Sequence, residues 1–261
     1  MLTIIANKEV FSKLAGFFKS DTRLNDLLTV SVLAFRLQQK HFFCLSHSSY
    51  NWYVDGDNKN GESSKAHKAA FHTDYSFNIA EYFAFCNRLL KKEPMTGEND
   101  APCMIVFCAF QQIPEVIRQA EKYGFKNYIP LVFCKNYSPQ VLKANIRIVG
   151  ATEYALVLYL GKLPKFRNTD ANGKRHMIFD HFDWVRDGKD IPKIHPSQKP
   201  ISVLKRLIEI FTDEGDVVID PCACSGSTLR AARELGRHSY GFEVSKDFYT
   251  KACKQMLGGT G

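Results

Sequence analysis

The chain has 261 residues, of which 45% are hydrophobic and 24% charged, and its formal net charge is +8. That length suits one large α/β domain, while no apolar run is long enough to span a membrane. The first residues, MLTIIANKEVF, lack the basic-then-apolar pattern of a signal peptide, so we expect a cytoplasmic protein. The excess of basic residues favours a polyanionic partner, although basic charge alone is common in proteins.

Short apolar runs, rich in aromatic and branched residues, alternate with helical patterns along the chain. We predict buried parallel strands at residues 40–46, 103–109, 128–135 and 153–160. The patterns between them predict helices over residues 79–92 and 113–124, the second one ending at Gly124. This alternation predicts an α/β fold with a doubly wound, mostly parallel sheet.

The cysteines indicate a reducing environment. Eight of them are scattered along the chain, mostly inside apolar runs, which is typical of reduced core thiols. Cys222 and Cys224 lack a second ligand pair at zinc spacing, so we expect no metal site.

Residues 217–244, VVIDPCACSGSTLRAARELGRHSYGFEV, carry the most informative pattern. A predicted strand ends in Asp220, a turn of small residues and a helix follow, and a second strand ends in Glu243. The second acid lies about 20 residues past the turn, where a nucleoside-binding crevice holds its ribose ligand. Small residues let a ligand approach the backbone closely. The alternative is that Glu243 merely ends a strand.

The preceding segment, HPSQKPISVLKRLIEIF at 195–211, extends this pattern into a resemblance. Together the two segments resemble the permuted beta class of DNA amino-methyltransferases, which modify adenine or cytosine amines. The family's HPxQKP segment is matched by His195, Pro196, Gln198, Lys199 and Pro200. Its DPFxGSGT loop is matched by Asp220, Pro221, Ser225, Gly226 and Thr228, with Cys222 in place of Phe and Cys224 in place of the first Gly.

The resemblance covers roughly residues 40–257 and implies a circularly permuted, Rossmann-like methyltransferase fold in a single domain, residues 1–261. It also implies an S-adenosylmethionine site. We expect the cofactor to contact Lys8, Gln198, Lys199, Asp220, Pro221, Cys222, Cys224, Ser225, Gly226, Ser227, Thr228 and Glu243. Asn7 and Lys8 replace a Gly-Asp pair that often ends the first strand of the family. We expect His195 to orient the loop before Pro196.

The resemblance places the catalytic residues after the first long strand. In the family that strand ends in DPPY, or in a variant beginning with Asn or Ser, and here the corresponding residues are His47, Ser48, Ser49 and Tyr50. Tyr50 keeps the aromatic face on which a flipped base would stack. A neutral His47 can accept one hydrogen bond, whereas the usual carboxylate has two oxygens. The alternative for His47 is a polar strand end without chemistry.

Residues 161–194 are predicted to be a short target-recognition insert. Basic residues and aromatic residues are interleaved there and beyond it to residue 199, as in surfaces that neutralise phosphates and wedge into base stacks. The candidate DNA contacts are Lys162, Lys165, Arg167, Lys174, Arg175, Trp184 and Arg186, and Lys135, Lys143 and Arg147 are expected to extend the basic rim. The alternative is a solvated loop with a local aromatic cluster. Because the insert is short, a homodimer or the long polar loop 54–74 could share in sequence reading.

These observations favour an S-adenosylmethionine-dependent methyltransferase acting on the adenine N6 amine of duplex DNA, in a bacterium or a phage-infected cell. A second hypothesis is a catalytically silent relative that binds DNA, cofactor or a partner subunit. A third, a nucleotide-dependent dehydrogenase, agrees with the strand–turn–helix pattern but explains neither HPSQKP nor the basic segment.

Overall fold

A computed structural model describes residues 3–6, 42–47, 79–90, 101–137, 150–195 and 198–258. Within these ranges the strands are β1 (Thr3–Ala6), β2 (Phe42–His47), β3 (Cys103–Cys108), β4 (Asn127–Lys135), β5 (Thr152–Tyr159), β6 (His181–Trp184), β7 (Val217–Asp220) and β8 (His238–Phe242). The helices are α1 (Ile79–Leu89), α2 (Ile113–Lys122), α3 (Ile201–Phe211), α4 (Ser227–Glu234) and α5 (Lys246–Lys251). A π-helical turn, Ala252–Met256, continues α5. Among the described helices, none is long and apolar enough to cross a membrane.

The eight strands form one mixed sheet in the order β1-β8-β7-β2-β3-β5-β4-β6. Five neighbouring pairs are parallel, and the two pairs that include β5 are antiparallel. The predicted mostly parallel α/β sheet is therefore confirmed. β7 and β8 come late in the chain but lie between β1 and β2 in the sheet. Circular permutation itself stays a prediction.

Helices cover both faces of the sheet, which explains the continuous apolar runs of its strands. In β3, Ile105 and Phe107 pack in a core with α3 and α4, while Met104 and Val106 pack in a second core with α1 and α2. Side chains alternate between the two faces of a strand, so burying both faces requires an apolar residue at every position. This is the doubly wound arrangement that the sequence predicts.

Two strands differ from the prediction. Residues 153–160 were expected to form a parallel strand, but β5 runs antiparallel to both of its neighbours. The end of β4 and the start of β5 are directly opposite, with Cys134 beside Thr152, so the chain reverses direction between them. The short strand β6, which the sequence did not predict, joins the predicted insert to β4 at the edge of the sheet.

Candidate functional site

Two buried acids meet where neighbouring parallel strands end. Asp220 is the last residue of β7, and Glu243 follows the last residue of β8. The two strands are paired in parallel, with Asp220 beside Gly241, so both acids lie at the carboxyl edge of the sheet. Asp220 is 3% exposed and Glu243 is 9% exposed. The carboxyl ends of parallel strands are the usual ligand-binding edge of such sheets.

The turn between β7 and α4 is fixed to both strand ends. The Cys222 amide donates to the Asp220 carboxylate (3.0 Å), and the Ala223 amide donates to the carbonyl of Phe242 (2.9 Å). Gly226 precedes α4 with a φ of 76°, and Cys224 has a φ of 49°. Both residues are left-handed, a conformation that glycine adopts without steric cost. The hydroxyls of Ser225 and Ser227 are buried and lie 2.7 Å apart. The predicted small-residue loop is therefore a compact turn directly above the two acids.

Burial dominates the electrostatics of this edge. It raises the pKa of Asp220 to about 7, an effect partly offset by hydrogen bonds from the Thr228 hydroxyl and the Cys222 amide. Burial also raises the pKa of Glu243, which accepts hydrogen bonds from the amides of Ser245, Cys224 and Val244. The pKa of the Cys224 thiol is raised by burial and by both acids, so this thiol stays neutral. Desolvated carboxyls of this kind favour a ligand that offers hydroxyl donors or positive charge.

The strand that leads to the predicted catalytic residues ends at the same edge. β2 lies between β7 and β3, and His47, its last residue, is beside Phe107 in the register. The chain therefore leaves β2 next to the turn after β7. Ser48, Ser49, Tyr50 and Lys8 lie outside the described residues, so their predicted roles stay predictions.

A second group of buried charges lies beside the first. Lys199 is 6% exposed, and its ammonium donates to the Glu153 carboxylate at 3.4 Å. Lys135 also forms an ion pair with Glu153, and the Lys199 ammonium lies 5.1 Å from the ring centre of Phe107 and 5.2 Å from that of Trp184. Burial lowers the pKa of Lys199, while Glu153 opposes this effect. Two lysines thus share one carboxylate at the carboxyl edge.

The sequence identified only part of this group. Lys135 was expected on an exposed basic rim, but its side chain is buried against Glu153 and Trp184. Glu153 was not predicted to be a site residue, although an acidic residue at the start of an apolar strand could have indicated one. Lys143 and Arg147 lie outside the described residues.

His195, the first residue of the HPSQKP segment, packs against α5. The Gln198 side chain donates to the carbonyl of Pro192 and accepts from the amide of Ile194, both at 3.1 Å, so it fixes the loop before α3. Burial lowers the pKa of His195 to about 4, and its ring packs edge-on against Phe248 with ring centres 4.7 Å apart. A neutral, packed imidazole agrees with the structural role expected for His195. Cofactor contact by Gln198 stays a prediction.

Two predicted DNA contacts need correction. Lys165 is 3% exposed, and its ammonium binds Asp213 at 2.6 Å and Asp216 at 2.7 Å. Trp184 is 5% exposed and donates from Nε1 to the Tyr137 hydroxyl at 3.1 Å. Because both side chains are buried, neither Lys165 nor Trp184 can contact a phosphate or a base. We therefore remove both residues from the candidate DNA contacts.

The other basic residues of the segment remain candidates. Arg167 is partly exposed but binds Asp213 through two nitrogens, and Arg186 stacks over the ring of Tyr137 at 3.4 Å. Lys174 and Arg175 are exposed on a tight turn closed by a bridge between Thr169 and Arg175. Lys162 is half-buried. Contact with DNA by these five residues stays a prediction.

The chain is similar in sequence to known DNA methylases. The sequence profile described as "DNA methylase" matches residues 48–254. The putative methylase YubD of Escherichia coli is 30% identical over 177 residues, which cover 66% of each chain. The DNA adenine methyltransferase YhdJ of Escherichia coli is 27% identical over 196 residues, covering 68% of this chain and 65% of the relative. The type II methyltransferase M.HindIII of Haemophilus influenzae is 44% identical over 62 residues, which cover 24% of this chain and 20% of the relative. The matched region thus spans two thirds or less of the length of these relatives.

Solved structures share the fold. The M1.HpyAVI–SAM complex superposes with a TM-score of 0.61 at 19% identity, covering 98% of this chain and 99% of that chain. The cytosine-N4-specific PvuII DNA methyltransferase superposes with a TM-score of 0.58 at 15% identity, covering 85% of this chain and 82% of that chain. At these identities the likeness establishes the architecture.

Proposed function

The chain belongs to the DNA methylase family, whose profile matches residues 48–254, and we propose that it is an S-adenosylmethionine-dependent methyltransferase acting on the adenine N6 amine of duplex DNA. One observation carries the proposal. The buried acids Asp220 and Glu243 end neighbouring strands, and β2, which leads to the predicted catalytic residues, ends beside them.

The residues at this edge are chemically suited to the cofactor. Glu243 is a buried acceptor beside the turn after β7, where a ribose hydroxyl can donate to its carboxylate. Asp220 lies under the same turn, where a cationic ligand would favour its ionised form. The left-handed backbone of Cys224 and Gly226 keeps the turn tight. When bound, S-adenosylmethionine supplies a methyl group activated by a sulfonium.

The residues after β2 would hold the target amine. In this proposal the flipped base stacks on Tyr50, since an aromatic face is the usual partner of an extruded base. Neutral His47 accepts one amine hydrogen bond, and the carbonyl of Ser48 accepts the other. Ser49 has no assigned role. These contacts free the nitrogen lone pair for methyl transfer and hold the amine in place.

The choice of adenine rests on a relative. YhdJ, which aligns with 68% of this chain, is named a DNA adenine methyltransferase, while the PvuII enzyme is cytosine-N4-specific. Both amines are exocyclic and need the same acceptors, so we choose adenine because YhdJ is more similar to this chain in sequence, at 27% identity against 15% for the PvuII enzyme. The exposed residues Lys174 and Arg175 supply positive charge for the DNA backbone.

Two departures favour the silent relative as a second candidate. HSSY replaces the DPPY of the family, and Cys224 replaces a glycine of the cofactor turn. A protein of this kind would keep the buried acids and bind the cofactor without transferring its methyl group.

A tritium-transfer assay separates the two candidates. The protein is incubated with methyl-labelled S-adenosylmethionine and unmethylated duplex DNA, and the bases are then separated. We expect label in N6-methyladenine; label in N4-methylcytosine would contradict the choice of base.

Calorimetry should show cofactor binding that weakens by about 1–3 kcal/mol in Glu243→Gln, because a buried ribose hydroxyl loses its charged acceptor. Glu209→Gln, on the exposed face of α3, is the matched control. Binding without transfer supports the silent relative. No binding at millimolar cofactor contradicts the methyltransferase and leaves a silent relative that binds DNA or a partner subunit.

A further inference from the structure

Lys135, Glu153 and Lys199 form a buried group in which positive charge is in excess. Each of the three side chains is mostly buried, and both ammonium groups pair with the same carboxylate. Removing charges from water is costly, and one carboxylate balances only one ammonium. The group therefore carries one unbalanced positive charge and can bind one more negative charge.

The two ion pairs are unequal. Lys135 contacts Glu153 closely, whereas the Lys199 ammonium is 3.4 Å from it, near the limit of a hydrogen bond. The rings of Phe107 and Trp184 flank Lys199 without accepting a full hydrogen bond. Lys135 and Lys199 contact different oxygens of Glu153, and an ammonium has three donors, so Lys199 is left able to bind a second anion.

Lys199 also faces the turn that we assign to the cofactor. Its charge acts on the Cys224 thiol, and the Cys224 amide in turn donates to Glu243. The Cys108 thiol at the end of β3 also lies near Lys199, and burial raises the pKa of this thiol to about 12. Both thiols therefore stay neutral near pH 7. Nearby His195 is neutral as well, since burial lowers its pKa to about 4. Among the described residues, Glu153 is the negative charge paired with Lys199.

We propose that Glu153 and Lys135 are positioning residues, which set the charge and direction of Lys199 so that its ammonium binds the carboxylate of the cofactor. This inference rests on the proposed function. Glu153 stabilises the charged form of Lys199, and Lys135 destabilises it by like-charge repulsion. The two residues act on Lys199 in opposite directions.

Because Glu153 and Lys135 shift the pKa of Lys199 in opposite directions, their roles can be tested separately. Lys199 binds an anion only while it is protonated, so affinity should fall as pH rises through its pKa. Glu153→Gln removes the stabilising charge, and that fall should move to lower pH by about one unit or more. Lys135→Met removes the repelling charge, and the fall should move to higher pH. A purely structural role would weaken binding in both variants without moving their pH profiles apart.

The experiment measures calorimetric affinity from pH 6 to pH 10. The ligand is S-adenosylhomocysteine, which keeps the carboxylate and lacks the reactive methyl group. Lys122→Met, an exposed change in the last turn of α2, is the control and should match the wild type. In the absence of ligand, NMR of protein labelled at lysine Cε follows the titration of Lys199, whose signal is assigned by its loss in Lys199→Met. Should Glu153→Gln fail to fold, Lys135→Met still tests the sign, because it keeps the Lys199–Glu153 pair.

The inference is supported if the Lys199 titration and the affinity profile both move to lower pH in Glu153→Gln and both move to higher pH in Lys135→Met. Equal profiles in the wild type and both variants, or displacements in the same direction, overturn it while leaving the proposed function intact. If the wild type binds no ligand at any pH, the proposed function fails, and the ligand role of Lys199 fails with it.

Discussion

Cys224 has a backbone conformation that residues with a side chain seldom adopt. Its φ of 49° makes it the one non-glycine residue with positive φ in the described part of the chain. This conformation costs an L-residue about 1–2 kcal/mol. The resemblance places a glycine here, and the structure keeps the glycine-like turn although the residue has changed. The turn is therefore set by its hydrogen bonds to β7 and β8, and the cysteine carries the strain.

Replacing Cys224 should reveal that strain. Both Cys224→Gly and Cys224→Ala remove the thiol, but only the glycine variant relieves the left-handed backbone. We expect the free energy of unfolding in urea to be about 1 kcal/mol higher for Cys224→Gly than for Cys224→Ala. Equal stabilities would mean that the turn rearranges when the thiol is removed. Cofactor affinity should follow the same order, because the glycine leaves more space above the acids.

Chemical type alone could not separate buried basic residues from exposed ones. Asp220 and Glu243 were predictable because strand ends are readable from apolar runs. Lys165 and Lys174 are the same residue type in the same segment, but Lys165 is buried by Asp213 and Asp216, about 50 residues further along the chain. Such long-range pairing is absent from any local pattern. The same holds for Glu153, whose partner Lys199 lies 46 residues away.

Gly241, a glycine of β8, lies in close contact with α4 and with the turn after β7. A Cβ added at Gly241 would lie 2.7 Å from Cδ1 of Leu229 and 2.8 Å from Cβ of Ala223. The Cβ of Ala223 cannot move unless the turn after β7 shifts, and the fully buried side chain of Leu229 would have to repack. This glycine therefore determines how closely the candidate cofactor turn packs over the sheet.

Gly241→Ala should destabilise the protein by about 1–3 kcal/mol, because it overpacks the contact between strand and helix. Gly150→Ala is a suitable control, since an added Cβ there meets no atom of the described residues within 4 Å. Urea unfolding measures both variants. A neutral Gly241→Ala would show that α4 has room to move away from β8.

The presence of β5 could be predicted from the sequence, but its direction in the sheet could not. Its apolar run indicates a buried strand, and the structure confirms that strand within one residue at each end. A run buried on both faces has the same composition in either direction, so the pattern could not distinguish antiparallel from parallel. β6 was missed because it is four residues long and exposed at two of them.

The net charge of +8 predicts that DNA binding by the whole molecule depends on salt. A plot of log affinity against log salt for duplex DNA should be steep, and its slope should decrease by about two phosphate contacts in the variant with Lys174 and Arg175 both changed to Ala. A control variant changes Lys122 and Lys126, which are exposed at the end of α2 and just before β4. An unchanged slope in the first variant would exclude this turn from the DNA-binding surface.

The order of the whole sheet places the end of β2 beside the turn after β7. β2 is the second of the described strands, yet it pairs with β7, which is the seventh of them. β2 therefore ends at the edge of the sheet where Asp220 lies. If His47 is the working acceptor, wild-type activity should fall as pH drops below about 6.5, since a protonated imidazole cannot accept a hydrogen bond.

The triple change His47→Asp, Ser48→Pro, Ser49→Pro tests this placement directly. A carboxylate offers two acceptor oxygens, and proline restricts the turn that presents the carbonyl. We expect methyl transfer to rise at least about tenfold, which corresponds to roughly 1.4 kcal/mol of barrier. Cofactor affinity, measured in parallel, should stay unchanged, because Asp220 and Glu243 are untouched. If an active wild type shows no change in rate, the catalytic residues are not at 47–50. The polar loop through Asp74 and Tyr75 would then be the next place to look.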